Sequence, residues 1–432
     1  MNTRYHSWGN LSAPIHIPYI PRTIPRNLNQ LEMDDYVIYG NGRSYGDVCL
    51  NSTSGLIDTC NLDRFVDYDE EKLTITCQAG MLLVDLLKYL VPRNRFVQVT
   101  PGTAYVTIGG MIANDVHGKN HHLVGSFGNH VESIKLLRSD RGIVNCSPTE
   151  NKELFYATIG GLGLTGLILT ATLKLKAVQT PCVEVMSQPT QGIDQLIELF
   201  NQGSTDNEYT VAWLDLQSKL LNGIFSFGRH SAEKQGCGKL TSPKKVKLHG
   251  PNWLLNRYSN TLFNRLYYIK NKFNTTSRQT YRDFFYPLDK LEDWNRLYGK
   301  RGFYQYQLVV PVSDFYEVFL AILSIMQRHQ QLSYLTVLKK FGDIESVGMM
   351  SFPRSGYTLA MDFPNLGKQT LKMLSEFDNI VSSAKGAVYP AKDARMSSDM
   401  FKESFPQLDK FVAYRDEKFI SDFWRRVMVD YV

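Results

Sequence analysis

The stretch "TPGTAYVTIGGMIANDVHGKNHH", residues 100–122, decides how this chain is read. A turn at Pro101-Gly102-Thr103 leads into a second small-residue loop, Thr107-Ile108-Gly109-Gly110, and then through Ala113 and Asn114 into a run of histidines. Glycine at this density lets the backbone approach a ligand closely, because no Cβ stands in the way. Together with "LVGSFGNHV", which follows it, the segment holds four of the nine histidines: His117, His121, His122 and His130. Metal binding, acid–base chemistry and polar packing around a bound ring are the three explanations for them.

A second glycine loop lies upstream. Gly40-Asn41-Gly42-Arg43-Ser44-Tyr45-Gly46 follows the strand-like "YVIY". A third, Gly161-Leu162-Gly163-Leu164-Thr165-Gly166, is a literal G-x-G-x-x-G. Neither fits the dinucleotide motif, in which the glycines open a helix. The third loop runs into "LILTATLKLK", whose alternation is that of a strand, and the upstream one into "DVCLNSTSGLIDT", which has no helical period. A glycine turn can still bind phosphate by pointing successive N–H groups into a concave nest, with Arg43 and Ser44 adding charge and a hydroxyl. Alone it would be only a turn. Several such loops in one strand-rich region can enclose a long, flat, diphosphate-containing ligand.

The wider pattern is of two parts. A chain of 432 residues exceeds one ordinary core. Residues 36–180 carry short β-branched runs separated by turns, interrupted by helical spacing in "LLVDLLKYLVPRN" and "NKELFYATIGG". After about residue 180 longer helices and strands alternate. Hydrophobic residues make up 43% and charged residues 21%, and no apolar run is long enough to span a bilayer, so the composition is globular. The first residues show no export signal. Cys49, Cys60, Cys77, Cys146, Cys182 and Cys237 lie far apart without zinc-finger spacing, and they read as reduced thiols in a cytoplasmic protein.

Taken together, "YGNGRSYGD", "PGTAYVTIGGMIANDVHGKNHH", "GSFGNHV", "GLGLTG", "FYQYQLVVP" and "YPAKDAR" resemble the FAD-dependent decaprenylphosphoryl-β-D-ribose oxidases. These belong to the vanillyl-alcohol oxidase (p-cresol methylhydroxylase) flavoprotein superfamily. The likeness extends over nearly the whole chain. It implies an α+β fold: a two-subdomain FAD-binding domain of p-cresol methylhydroxylase type over residues 1–180, a mixed sheet-and-helix substrate-binding domain over 181–386, and a C-terminal segment, 387–432, returning to the FAD domain. It sets the diphosphate against Gly40 to Gly46. Further FAD contacts are implied at Gly102, Thr107, Ile108, Gly109, Gly110, Asn114, His117, Ile168 and Tyr389. Many relatives attach FAD through a histidine in a G-x-G-H-S motif; here that position is Arg43, so a non-covalent, dissociable FAD is expected. The reaction implied is oxidation of the 2'-hydroxyl of a polyprenylphosphoryl ribose to a ketone, which an NADH-dependent short-chain reductase partner then reduces to the arabinose epimer. Mycobacterial members carry a cysteine in the strand before "DFP", where this chain has Ala360.

Alcohol oxidation by a flavin requires a group that takes or shares the hydroxyl proton. His117 and Lys392 are the catalytic candidates, although a lysine is more often a solvated charge. Gln305 and Gln307 lie two apart, so a strand points both amides to one face and Tyr304 and Tyr306 to the other. That face suits a sugar; the plain alternative is an edge strand with solvated amides. Lys339 is the candidate for the substrate phosphate and Tyr45 for the sugar, while Lys119 and Lys392 complete the substrate side. No metal is expected, because Gly118 opposes a continuous helix through His117 and His121 and no cysteine or carboxylate cluster supports them. His117 would face the flavin, with His121, His122 and His130 satisfying backbone groups.

Net charge is +6 and uneven: Gly238 to Arg282 contains ten Lys/Arg and no Asp or Glu, interleaved with Trp253, Tyr258, Phe263, Tyr267 and Tyr268. Leu255, Leu262, Phe263 and Leu266 partly share one helical face. Such a segment suits an anionic membrane surface, where a polyprenyl substrate is collected, and no nucleic-acid motif accompanies it. The expectation is a peripheral enzyme on the inner face of the cell membrane. Its rivals are a soluble sugar or aldonolactone oxidase and a binding protein that has lost its chemistry.

Overall fold

The alternation in "LILTATLKLKA" becomes the strand Leu167–Ala177, the middle of an antiparallel sheet. Thr74–Gln78 pairs along one side of it and Val131–Arg138 along the other, with Phe65–Asp69 and Gly142–Cys146 outermost and Arg95–Val97 beside its last residues. The computed structural model describes residues 5–429 apart from 13, 15, 26, 29–33, 204–206, 234–236, 252 and 274–275. A small parallel sheet, with Gly55–Asp58 between Ile17–Tyr19 and Tyr36–Tyr39, carries the loop Gly40–Gly46, the first along the chain, at its end. The two helices expected from spacing form as Leu83–Leu90 and Lys152–Thr158.

From Cys182 onward the chain builds an eight-stranded sheet. Its order is Thr276–Thr280, Cys182–Gln191, Asn222–His230, Tyr209–Leu214, Thr336–Phe341, Gly356–Pro364, Phe303–Val310 and Ala387–Val388, all neighbours antiparallel. One face is apolar and packs under the helices Ile193–Gly203, Phe315–Arg328 and Lys368–Ser383. The helix Phe315–Arg328 turns Phe315, Val318, Phe319, Ile322, Ile325 and Met326 inward, one stripe at helical spacing. Each such side chain, fully buried, stabilises the fold by about 1.5–3 kcal/mol. Leu308, Leu338 and Leu359 meet those helices from the sheet, so their strand neighbours Gln307, Lys339 and Thr358 point to the opposite face. The FYQYQ strand pairs along its whole length with Gly356–Pro364 and on its other side with Ala387–Val388 only at Leu308 and Val309, yet Gln305 and Gln307 are buried, which removes the alternative of solvated amides.

The last residues come back against the beginning. The Tyr36 N–H donates to the Lys418 carbonyl at 2.7 Å, and Arg425 and Arg426 pair with Asp35 and Asp47 at 2.7 and 2.8 Å. The architecture is α+β. One expectation is corrected: Cys182 and Cys237 are joined in a disulfide with Cα atoms 5.7 Å apart, while Cys49, Cys60, Cys77 and Cys146 are free. The bridge spans 55 residues of sequence, and proximity on that scale comes from tertiary structure rather than spacing. It also removes the cysteine-based reason for assigning the chain to a reducing compartment. No helix among the described residues is long and apolar enough to cross a membrane.

Candidate active site

Between the glycine loops and the polar face of the eight-stranded sheet lies a cavity of about 830 Å³. The loops form its first wall because side chains there would not fit. A Cβ on Gly40 would fall 2.5 Å from Thr107 Oγ1, and Gly42, at φ +59°, would set one 2.0 Å from the Tyr39 hydroxyl. Asn41 Nδ2 donates to the Tyr105 carbonyl at 2.7 Å and ties the first loop to the second. Thr107 caps a short helix, Ile108–Ala113, its Oγ1 accepting from Gly110 N at 3.1 Å. The Arg43 guanidinium lies 4.0 Å from the centre of the Trp8 ring and 5.4 Å from that of Tyr105, and burial lowers its pKa. Of the residues expected to hold FAD, Gly46 and Ile108 do not line the cavity: Gly46 packs on the Asp393 carbonyl and Ile108 is in the core. The others, including Gly102, Gly109, Asn114, Ile168 and Tyr389, do line it.

The histidine loop is fixed by Asp115, a residue whose role the sequence did not reveal. Its fully buried carboxylate accepts from Gly128 N at 2.7 Å, Ser126 Oγ at 2.8 Å and Ser351 Oγ at 2.6 Å. Those bonds join three segments and hold His117 at the cavity, where Gln307 Nε2 donates to its Nε2 at 2.8 Å. Burial, and then the charges of Lys339, His121 and Lys392, push the His117 pKa well down, so the ring is neutral. His122 and His130 satisfy the carbonyls of Asn207 and Val124 as expected. His121 does not. Neither of its nitrogens has a partner among the described residues, and its ring packs on Phe341 at 4.3 Å, an aromatic contact where a backbone contact was expected. No group of His, Cys, Asp or Glu among the described residues could hold a metal.

The second wall is the sheet. Gln305 and Gln307 both face the cavity, while Tyr306 points the other way and donates to Asp378 at 2.9 Å. Three lysines line the cavity, Lys339 on the sheet, Lys392 beyond its last strand and Lys119 in the histidine loop. Lys392, in the turn Pro390–Lys392, sets its ammonium 3.8 Å over the Tyr45 ring. Lys339 has no ion-pair partner among the described residues, and burial lowers its pKa to about 8. Lys119 reaches the Phe284 carbonyl and is lowered to about 7 by burial and then by Lys339. One carboxylate stands behind them. Asp362 is the cross-strand partner of Gln305, whose Nε2 donates to it at 2.5 Å, and Tyr298 donates from 3.4 Å. Burial raises the Asp362 pKa; burial lowers that of Lys392, and the Asp362 charge opposes that fall. The "DFP" in the sequence offered Asp362, but its pairing depends on strand register.

A flat ligand with a diphosphate fits this arrangement. The loops offer backbone where a Cβ would collide, Arg43 supplies charge, and the buried Asn114 Oδ1 lacks a partner among the described residues. A FAD-binding domain family matches residues 32–147, which contain the first two loops and the histidine run. Fold, cavity and family define a FAD-dependent oxidoreductase acting on a CH–OH group.

The decaprenylphosphoryl-β-D-ribose oxidase of Mycolicibacterium smegmatis is 35% identical over 409 residues, covering 90% of this chain and 88% of its own length. The chain belongs to the decaprenylphosphoryl-β-D-ribose oxidase family. An uncharacterised protein of Streptomyces coelicolor is 28% identical over 79% of this chain and 98% of its own length. The L-gulonolactone oxidase of Mus musculus matches only 140 residues, at 31% identity, covering 32% of this chain and 31% of its own length.

Proposed function

We infer that this protein oxidises the 2'-hydroxyl of a polyprenylphosphoryl-β-D-ribose to the 2'-ketone, using FAD held without a covalent bond in a two-subdomain domain of p-cresol methylhydroxylase type. The observation that carries the reading is the wall on which Gln305, Gln307, Lys339 and Lys392 converge opposite the glycine loops. When bound, FAD supplies the two-electron acceptor for the carbinol hydrogen. The rest falls to side chains. Gln305 and Gln307 orient the sugar hydroxyls, and Lys339 with Lys119 answers the phosphate charge. Lys392, lowered toward its neutral form, holds the hydroxyl proton as the carbonyl forms, and His117 keeps a neutral polar edge beside the ring. Arg43 at the position of covalent attachment in relatives, engaged with Trp8 and Tyr105, supports a dissociable cofactor. The product would pass to an NADH-dependent short-chain reductase.

The cluster of lysines favours a phosphorylated substrate over the free sugar or aldonolactone of the rival reading. Mixing the oxidised protein with a short-chain polyprenylphosphoryl ribose without oxygen tests this. Bleaching of the flavin absorbance is expected, slowed in Lys392→Ala, and acid precipitation should release the flavin into solution. Bleaching by free ribose or aldonolactones alone would overturn the assignment.

A further inference from the structure

We propose that the outer face of the helix Arg257–Lys272 docks on an anionic lipid surface and brings the cavity to the layer that holds the substrate's prenyl chain. The proposal rests on the lipid-linked substrate inferred above.

This helix is inside out. Its inward residues include Asn260 and Asn264, each 3% exposed, which donate to the Ser333 carbonyl at 3.1 Å and to Asp215 Oδ1 at 2.8 Å. Outward, at spacings of four, four, three and four residues, run Tyr258, Leu262, Leu266, Ile269 and Phe273, with exposures of 85, 59, 59, 44 and 78%. A helix that packed on its protein through an apolar stripe would show the reverse. Trp253, in the turn before the helix, adds another ring at 73% exposure. Single exposed apolar residues are ordinary, but a continuous stripe marks an interaction surface.

Charge selects the partner. Arg257, Arg265, Lys270 and Lys272 are exposed on this helix, without an ion-pair partner among the described residues, and the helix carries no acid. Apolar rings and leucines between cations suit the boundary of an anionic bilayer, where the apolar stripe enters the acyl region and the cations meet head groups. Position connects this face to the site. Phe263, Tyr267 and Asn271 of the same helix line the cavity, and Tyr267 packs on Trp213 with ring centres 4.7 Å apart. Phe263 and Tyr267, with Val211 and Ile224, give the cavity an apolar flank on the helix that carries the exposed stripe, suited to a prenyl chain.

The test uses the full-length, FAD-loaded protein and vesicles of phosphatidylcholine, alone or mixed with phosphatidylglycerol. Sedimentation with the mixed vesicles is expected, weakened by salt and by omission of the anionic lipid. Leu262→Ser combined with Leu266→Ser and Ile269→Ser should weaken partition on the order of tenfold or more. Those side chains point away from the cavity, so flavin bleaching by a soluble short-chain substrate should persist in the variant. Failure of the unmodified protein to bind mixed vesicles, or undiminished binding by the variant, overturns the proposal. So does a dimer in analytical ultracentrifugation that the substitutions dissociate, since a second copy would then cover the stripe. Vesicle binding as expected with no bleaching by the phosphoryl ribose would leave the docking face standing and remove the substrate assignment.

Discussion

The strand Phe303–Val310 and the helix Arg257–Lys272 both turn amides toward the interior, for different reasons. In the strand, Gln305 and Gln307 are 9% and 4% exposed and face a cavity, with Asp362, Thr358 and His117 completing their hydrogen bonds. In the helix, Asn260 and Asn264 bind the protein itself, and the opposite side is left apolar. Inward polarity therefore does not identify a site. What separates the two is what the amides meet: in the strand an open volume with titratable groups around it, in the helix a closed pair of partners. If that distinction is right, substitutions in the strand should act on rate and binding, and substitutions in the helix on stability and surface behaviour.

The largest effect is expected at Lys392. Lys392→Ala should lower the rate of anaerobic flavin reduction on the order of 10²–10³, as loss of a positioned proton acceptor does. Burial lowers its pKa, so its neutral fraction, and with it the rate, should rise with pH through that lowered value. Lys392→Arg separates orientation from proton transfer, because arginine keeps the charge and does not release it. A rate in the arginine variant close to that of the unmodified protein would assign Lys392 to orientation alone.

Asp362 should act through its neighbours. Its negative charge supports protonated Lys392, so Asp362→Asn removes that support and should move the rising limb of the pH–rate profile to lower pH. A loss of about tenfold in kcat is expected as Gln305 loses its charged acceptor. Stopped-flow reduction across the pH range reads both. An unmoved limb would mean that Asp362 only holds Gln305 in place.

At Lys339 the effect should fall on binding. Lys339→Met should weaken a phosphorylated ligand on the order of tenfold, about 1.4 kcal/mol, and leave free ribose unaffected. A bound phosphate raises the lysine pKa above its value of about 8, so affinity is full below about 8 and falls as pH rises beyond it. In the empty protein the sign is opposite: because the folded value lies below that of the unfolded chain, stability rises with pH between about 8 and roughly 10.4. Titration calorimetry and thermal melts across this window check the two signs separately.

Local patterns made much of this legible in advance. Alternation fixed which face Gln305 and Gln307 share, and loop glycines followed by histidines marked the first wall, because period and backbone freedom are properties of adjacent residues. Asp362 was illegible as the partner of Gln305 because 57 residues separate them and strand register alone brings them together. The Cys182–Cys237 bridge was hidden for the same reason. His121 misled differently: a polar residue in a glycine-rich loop suggested a backbone contact, but Phe341 offered it a ring. In the basic helix the leucine stripe could be read, but which side is buried is set by Asp215 and Ser333 on other elements.

The smallest effects should come from that helix, and they sharpen the comparison most directly. Asn264→Ala leaves the buried Asp215 carboxylate with one donor fewer, Gln217 N at 3.1 Å being its other donor among the described residues, and should cost about 1–3 kcal/mol. Leu262→Ser, on the exposed stripe, should stay within about 0.5 kcal/mol, because little area is removed from water there on folding. Urea unfolding of both variants measures the contrast, and neither should change flavin reduction by a soluble substrate. Were Leu262→Ser the more costly of the two, the leucine would be packed in solution, and the stripe would be an ordinary buried face rather than a surface kept apolar for a partner. A larger loss at Asn264 means instead that the helix is anchored through its amides, which leaves its apolar side free at almost no cost to the fold.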